Sequence, residues 1–212
     1  MKPISAIKAV VFAAALVPAA ALVHGFYTND LTANPLDYIT KQTGWWALAF
    51  LVITLTVTPI RRITGWNQII RLRRMLGLFS FFYATLHFLT WFVLDWFFDF
   101  RQMADDIVMR PFITLGMATY VMLLALAFTS TQNSIRRLGR KWTVLHRLIY
   151  VAAVTALLHF WLARKTVVPQ FQVVLVAAIL LLGFRVWWAT RSRSQPRPAD
   201  GRQNVNRRVP SA

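Results

Sequence analysis

His87, His146 and His159 lie inside long apolar runs of a chain that has no cysteine and only one further histidine, His24. Without thiolates there is no disulfide, no cysteine-held iron–sulfur cluster and no thiolate-ligated haem. A redox cofactor would have to be held by histidine, by methionine or without covalent attachment. An ionisable side chain within a membrane-length run is costly, and by default it marks a functional site. Neutral imidazole binds iron through one nitrogen, while the other needs a hydrogen-bond partner. A haem held between two helices takes one axial histidine from each.

His146 and His159 are 13 residues apart on one apolar run, about 20 Å at the usual helical rise. That separation suits cofactors in the two halves of a bilayer. In a straight helix, however, the two side chains point about 140° apart. No Pro or Gly lies between them to bend the helix. A local bulge or differently placed partners are therefore required. His87 has no second histidine at a matching distance: Arg74 and Arg73 stand 13 and 14 residues before it, Phe100 and Arg101 the same distances after it. By depth, His87 pairs with His159 on an outer haem. His146 then serves an inner cofactor whose second axial ligand is not identified, with Arg73 and Arg74 placed to meet its carboxylates. His24, beside Gly25 at the edge of the first run, reads as interfacial. Arg147 and Arg185 read as cations that snorkel to the cytoplasmic interface.

The elements that position these side chains are membrane-spanning helices. The chain is 57% hydrophobic and 15% charged, with a mean hydropathy of +0.49. A span needs about 20 apolar residues, and six runs qualify: 6–26, 44–60, 75–98, 112–129, 142–163 and 169–188. Each is apolar all round, unlike a soluble amphipathic helix, and none alternates as a barrel strand does. The first run, with Lys2, Lys8 and Ala19-Ala20-Ala21, has features of a secretory signal, but the charge pattern of the remaining loops fits a retained span. Arg61, Arg62, Arg71, Arg73 and Arg74 separate runs two and three, and Arg136, Arg137, Arg140 and Lys141 separate runs four and five, with no acid among them. Asp30, Asp37, Asp99, Asp105 and Asp106 fall in the alternate loops. The positive-inside rule then places both termini in the cytoplasm. It also explains the net charge of +17 without nucleic acid as a partner. The expected architecture is an all-α, six-transmembrane-helix bundle over residues 1–190. A basic, disordered cytoplasmic tail over 191–212 would follow, available to anionic lipid headgroups.

Other chemistry finds little support. There is no glutamate, no glycine-rich nucleotide motif and no Ser-His-Asp set at a common depth. A chain this small, with short outer loops, needs an electron donor at one face and an acceptor at the other. Chemistry on a protein substrate would belong to a partner.

Several stretches carry a family resemblance. Arg71-Leu72-Arg73-Arg74-Met75-Leu76-Gly77-Leu78 leads to Ala84-Thr85-Leu86-His87. Arg110 to Gly116 opens the fourth run. Leu124 to Gln132 is followed by Leu138-Gly139-Arg140-Lys141-Trp142 and Leu145-His146-Arg147. These resemble the MsrQ (YedZ) family, haem-binding membrane subunits of bacterial periplasmic methionine sulfoxide reductase systems. That family in turn is similar to the transmembrane domain of ferric reductases and NADPH oxidases. The resemblance implies one or two b-type haems on His87, His146 and His159, and FMN as a further cofactor. It implies a non-catalytic electron-transfer subunit of the bacterial inner membrane. Electrons would come from the quinone pool or a cytoplasmic flavin reductase, and would go to a periplasmic molybdopterin subunit of the MsrP type that repairs oxidised methionines. The competing readings are a non-redox transporter, on the six-span architecture alone, and a passive anchor for a periplasmic enzyme.

Overall fold

The computed structural model describes residues 3–163 and 169–193, and among them all regular structure is helical. The helices are α1 (Pro3–Tyr27), α2 (Pro35–Thr64), α3 (Ile70–Leu89), α4 (Phe100–Met109), α5 (Pro111–Phe128), α6 (Gln132–Leu138), α7 (Arg140–Leu145), α8 (Leu148–Ala163) and α9 (Pro169–Arg193). Five stretches are long and apolar enough to cross a membrane: Ile4–Tyr27, Pro35–Thr64, Asn67–Asp95, Pro111–Phe128 and Arg140–Ala163. Within α9 the apolar stretch, Gln172–Arg185, is shorter. Of the tail expected over 191–212, residues 191–193 continue α9, and the remainder lies outside the described residues.

Helix limits follow local chemistry. Asn34 caps α2 by accepting from the Asp37 backbone N–H at 3.1 Å, and Pro35 takes the first turn, where no N–H is needed. Gly65 ends α2 in a left-handed conformation, φ 70°, that a residue with a Cβ resists. As a result α2 is longer at both ends than its apolar core of residues 44–60 indicated. The loop between α3 and α5 is also more structured than expected. It holds α4, an amphipathic helix capped by Asp99.

α2 is central. Phe50 and Val57 pack with α1 and α3, Leu51 and Leu55 with α5 and α8, and Leu48 and Val52 with α8 and α9. Small residues sit buried between helices, as lipid-embedded packing favours: Ser80 is fully buried and donates to the Ala47 carbonyl at 2.9 Å, and Ala152 is fully buried on α8. Outward faces are apolar. Val121, Val151 and Leu180 are exposed, which is the character of a lipid-facing surface. α1 docks through Tyr83. Its hydroxyl donates to the Ala15 carbonyl at 2.7 Å and accepts from the Ala19 N–H at 3.1 Å. It thereby replaces helix bonding beside Pro18, where the ladder is interrupted.

The run carrying His146 and His159 is not one straight helix. α7 ends at Leu145, and the chain turns at His146–Arg147 before α8 begins. There the Arg147 N–H reaches the Val144 carbonyl at 3.1 Å, and the Tyr150 N–H reaches that of Arg147 at 3.0 Å, both tightened three-residue bonds. The run therefore carries a local irregularity of the kind the straight-helix conflict called for.

Candidate functional site

Two histidines meet across one cavity. His87 on α3 and His159 on α8 have ring centroids 6.0 Å apart at an interplanar angle of 70°. They border a cavity of about 570 Å³ walled by α2, α3, α5 and α8, within the usual range for small-molecule sites. Each ring is held the same way. His87 Nδ1 lies 2.9 Å from the Thr40 carbonyl oxygen, and His159 Nδ1 lies 2.6 Å from that of Phe112. A carbonyl only accepts, so Nδ1 carries the proton and donates, leaving the Nε2 lone pair free. That is the second-shell arrangement which fixes a metal-ligating imidazole.

The pairing is a feature of the whole site. Each Nδ1 bond spans 47 residues, and each ring packs on a glycine one turn beyond the accepting carbonyl. A Cβ on Gly44 would come within 3.0 Å of the His87 ring, and one on Gly116 within 2.8 Å of the His159 ring. Gly44 with Gly116 and His87 with His159 share one offset along the chain, and other lining residues follow it: Ala47 with Thr119, Leu51 with Leu123, Ala84 with Ala156, Phe88 with Phe160. The α2–α3 hairpin and the α5–α8 hairpin are thus two versions of one unit. The sequence carries the signal as Ala84-Thr85-Leu86-His87-Phe88 and Ala156-Leu157-Leu158-His159-Phe160. Hydropathy and charge counting do not reveal it.

The acidic end of the cavity is closed by a latch that the sequence reading also missed. After α3 the chain forms a π-helical turn, Thr90–Asp95, and Phe97 and Phe98 follow with φ of 46° and 66°. This irregular segment brings the Trp91 and Trp96 indoles onto one carboxylate, Asp106 Oδ2, at 3.3 and 3.1 Å. Arg110 pairs with the other oxygen at 2.9 Å. Asp106 is 6% exposed, so its charge is compensated by three donors. It pins α4 beside the cavity mouth, where Asp37, Lys41 and Asp95 also lie.

His146 does not join the other two histidines. It sits at the basic end, its ring stacked on Trp142 at 3.9 Å and its Nδ1 3.2 Å from the Trp142 carbonyl. Its Nε2 is buried and unpartnered. Arg73 lies within electrostatic range of it, whereas Arg74 is exposed. Arg185, expected to snorkel, instead turns inward. It donates to the Tyr150 hydroxyl, and at 2.9 Å to the Leu55 carbonyl.

A helical bundle that presents two imidazoles with free Nε2 to one cavity defines a membrane-embedded cofactor- or metal-binding class. Residues 43–157 match the family described as ferric reductase like transmembrane component. Over 193 residues the chain is 48% identical to the protein-methionine-sulfoxide reductase heme-binding subunit MsrQ of Herminiimonas arsenicoxydans, covering 89% of this chain and 88% of that one. It is 47% identical over 203 residues to the MsrQ of Ralstonia nicotianae, with 94% of each chain covered. With that of Xanthomonas euvesicatoria it shares 43% over 209 residues, covering 93% and 96%. The chain therefore belongs to the MsrQ family within the ferric reductase-like transmembrane proteins, and it is a multi-pass membrane protein.

Proposed function

We propose that this chain is the haem-carrying electron-transfer subunit of a methionine sulfoxide reductase system, with His87 and His159 as the axial ligands of one b-type haem. The 6.0 Å between the two ring centroids carries this reading. Both rings border one cavity, and each has its Nδ1 engaged by a backbone carbonyl, so both Nε2 atoms would be available to hold a single iron between them. The residues present fit the group: two preset imidazoles, a largely apolar cavity between paired hairpins, and glycines that let the rings sit against backbone. Haem, when bound, supplies reversible one-electron chemistry at its iron.

The protein's own contribution is to orient the ligands, exclude water from the cavity with aromatic and aliphatic walls, and separate the two membrane faces. In this reading six spans, with α9 the last, place both termini in the cytoplasm of a bacterial inner-membrane protein. Electrons enter at the basic end from the quinone pool or a cytoplasmic flavin reductase. They leave at the acidic end to a periplasmic MsrP-type molybdopterin subunit, which uses them to repair oxidised periplasmic proteins. His146, with Arg73 and Arg74, serves a second cofactor at the basic end, a haem or FMN. The experiment is an absorbance spectrum with a haem-to-protein ratio. The parent should show a Soret band that shifts on reduction, and His87→Ala or His159→Ala should each lose most of the haem. A colourless parent from haem-replete cells would refute the function, and full haem occupancy in both variants would refute the axial assignment.

A further inference from the structure

The basic end of the bundle buries cationic and polar groups that nothing in the described structure neutralises. Arg185 is half-buried, and although two of its nitrogens are bonded to the Tyr150 hydroxyl and the Leu55 carbonyl, its Nε is buried without a partner. The Thr58 hydroxyl is also buried and unpartnered. Thr58 stands three residues beyond Leu55 on the same face of α2, toward the basic end. The third such atom is His146 Nε2, four residues before Tyr150. Three of the four buried unpartnered side-chain atoms among the described residues therefore come from elements converging on the Tyr150–Arg185 contact; the fourth belongs to Thr40.

Charge at this end has one sign. Arg73 and Arg62 both act electrostatically on Arg185, and Arg62 lies over the Trp188 ring at 4.8 Å. The two ion pairs among the described residues, Lys41–Asp37 and Arg110–Asp106, are both at the opposite end. A guanidinium held inside a bundle without a carboxylate is costly. Neutral acceptors such as Tyr150 and Leu55 engage two of its nitrogens but leave Nε unbonded and the charge uncompensated.

We infer that Arg185, Thr58 and Arg73 form a binding site for an oxyanion, a carboxylate or phosphate carried by a ligand that enters the basic end of the bundle. Guanidinium groups suit such anions because they offer paired, charge-assisted donors. The Thr58 hydroxyl, one turn beyond the Leu55 carbonyl that Arg185 bonds, adds a neutral donor. The site stands whether or not His146 holds a second haem. It can take the phosphate of an anionic lipid, the phosphate of a flavin mononucleotide or the carboxylates of a haem.

The test uses the full chain with its resident cofactors in nanodiscs, comparing parent, Arg185→Gln and Thr58→Val. The absorbance of the His87–His159 site serves as the control for fold. Native mass spectrometry in phosphatidylglycerol against phosphatidylcholine discs reads lipid retention. Fluorescence titration with FMN reads mononucleotide binding, and the haem-to-protein ratio reads a second haem. Loss of one charge-assisted contact should weaken the true occupant about tenfold or more in Arg185→Gln, with a smaller loss in Thr58→Val. Whichever of the three measurements moves names the source. If the parent retains none of the three probes at this site, or if both variants retain all of them as the parent does, the inference is overturned.

Discussion

Gly116→Ala is a one-carbon change whose effect can be worked out from the site. The new Cβ would lie 2.8 Å from both Cε1 and Nδ1 of His159. Ordinary carbon contacts sit at about 3.5–4.0 Å, so the ring must retreat by about 0.7 Å or more. Retreat stretches the 2.6 Å bond from Nδ1 to the Phe112 carbonyl, which fixes the tautomer and aims Nε2. Alanine in place of glycine within a helix ordinarily stabilises by about 0.5–1 kcal/mol. Overpacking costs about 1–3 kcal/mol, so strain wins here. Loss of second-shell support typically lowers metal affinity by about 10–100-fold. Gly44→Ala, whose Cβ would meet the His87 ring at 3.0 Å, should show the same defect more weakly. Gly183→Ala, with nothing within 4 Å of its Cβ, should be neutral or slightly stabilising. The assay is haem occupancy after purification, together with the rate of haem transfer to an excess of apomyoglobin. If Gly116→Ala releases haem no faster than Gly183→Ala, the ring is not held against the backbone in the way described.

Asp106→Ala leaves two indole N–H groups and Arg110 without their acceptor, and should destabilise the protein by about 2–3 kcal/mol; a thermal melt in detergent, with tryptophan fluorescence as reporter, measures it, and an unchanged midpoint would show that α4 is not latched. Tyr83→Phe removes the hydroxyl that bridges Ala15 and Ala19, and should cost about 1–2 kcal/mol while loosening α1, seen as faster proteolysis of the N-terminal segment. His146→Ala should leave the absorbance of the His87–His159 site in place and lower the content of any second haem. An unchanged haem-to-protein ratio would show that His146 holds no haem.

Much of this arrangement was legible in the sequence, because lipid allows few solutions. Backbone polar groups must be satisfied within the segment, so apolar runs become helices and their ends carry the charges. The counting that set His87 beside His159 and His146 apart depends only on position along such helices, and the His87 and His159 rings lie 6.0 Å apart. What stayed hidden depended on three-dimensional adjacency. Asp106 looked like one more loop acid, since nothing local says that a π turn and two left-handed residues will swing two tryptophans onto it. Arg185 looked like a snorkelling cation because periodicity does not say which side of α9 meets Tyr150. Gly44 and Gly116 looked like ordinary span residues, although each is there to admit a ring.

The repeated hairpin gives those hidden residues a common logic. Positions that match between the two units build the middle of the molecule: Gly44 and Gly116 under the rings, Ala84 and Ala156 one turn before the histidines, Phe88 and Phe160 one residue after. A cofactor held on that axis meets nearly the same surface from both sides, and matched positions alone give it no direction. Direction has to come from the departures. At the basic end, the counterpart of His146 in the first hairpin is Arg74, 13 residues before its own histidine. That is why no matching axial histidine was found. At the acidic end, Asp106 corresponds to Asn34, which caps α2 and closes nothing over the cavity. Substitutions at matched positions should therefore change how firmly the cofactor is held. Substitutions at the unmatched ones should change exchange with whatever donates at one face and accepts at the other.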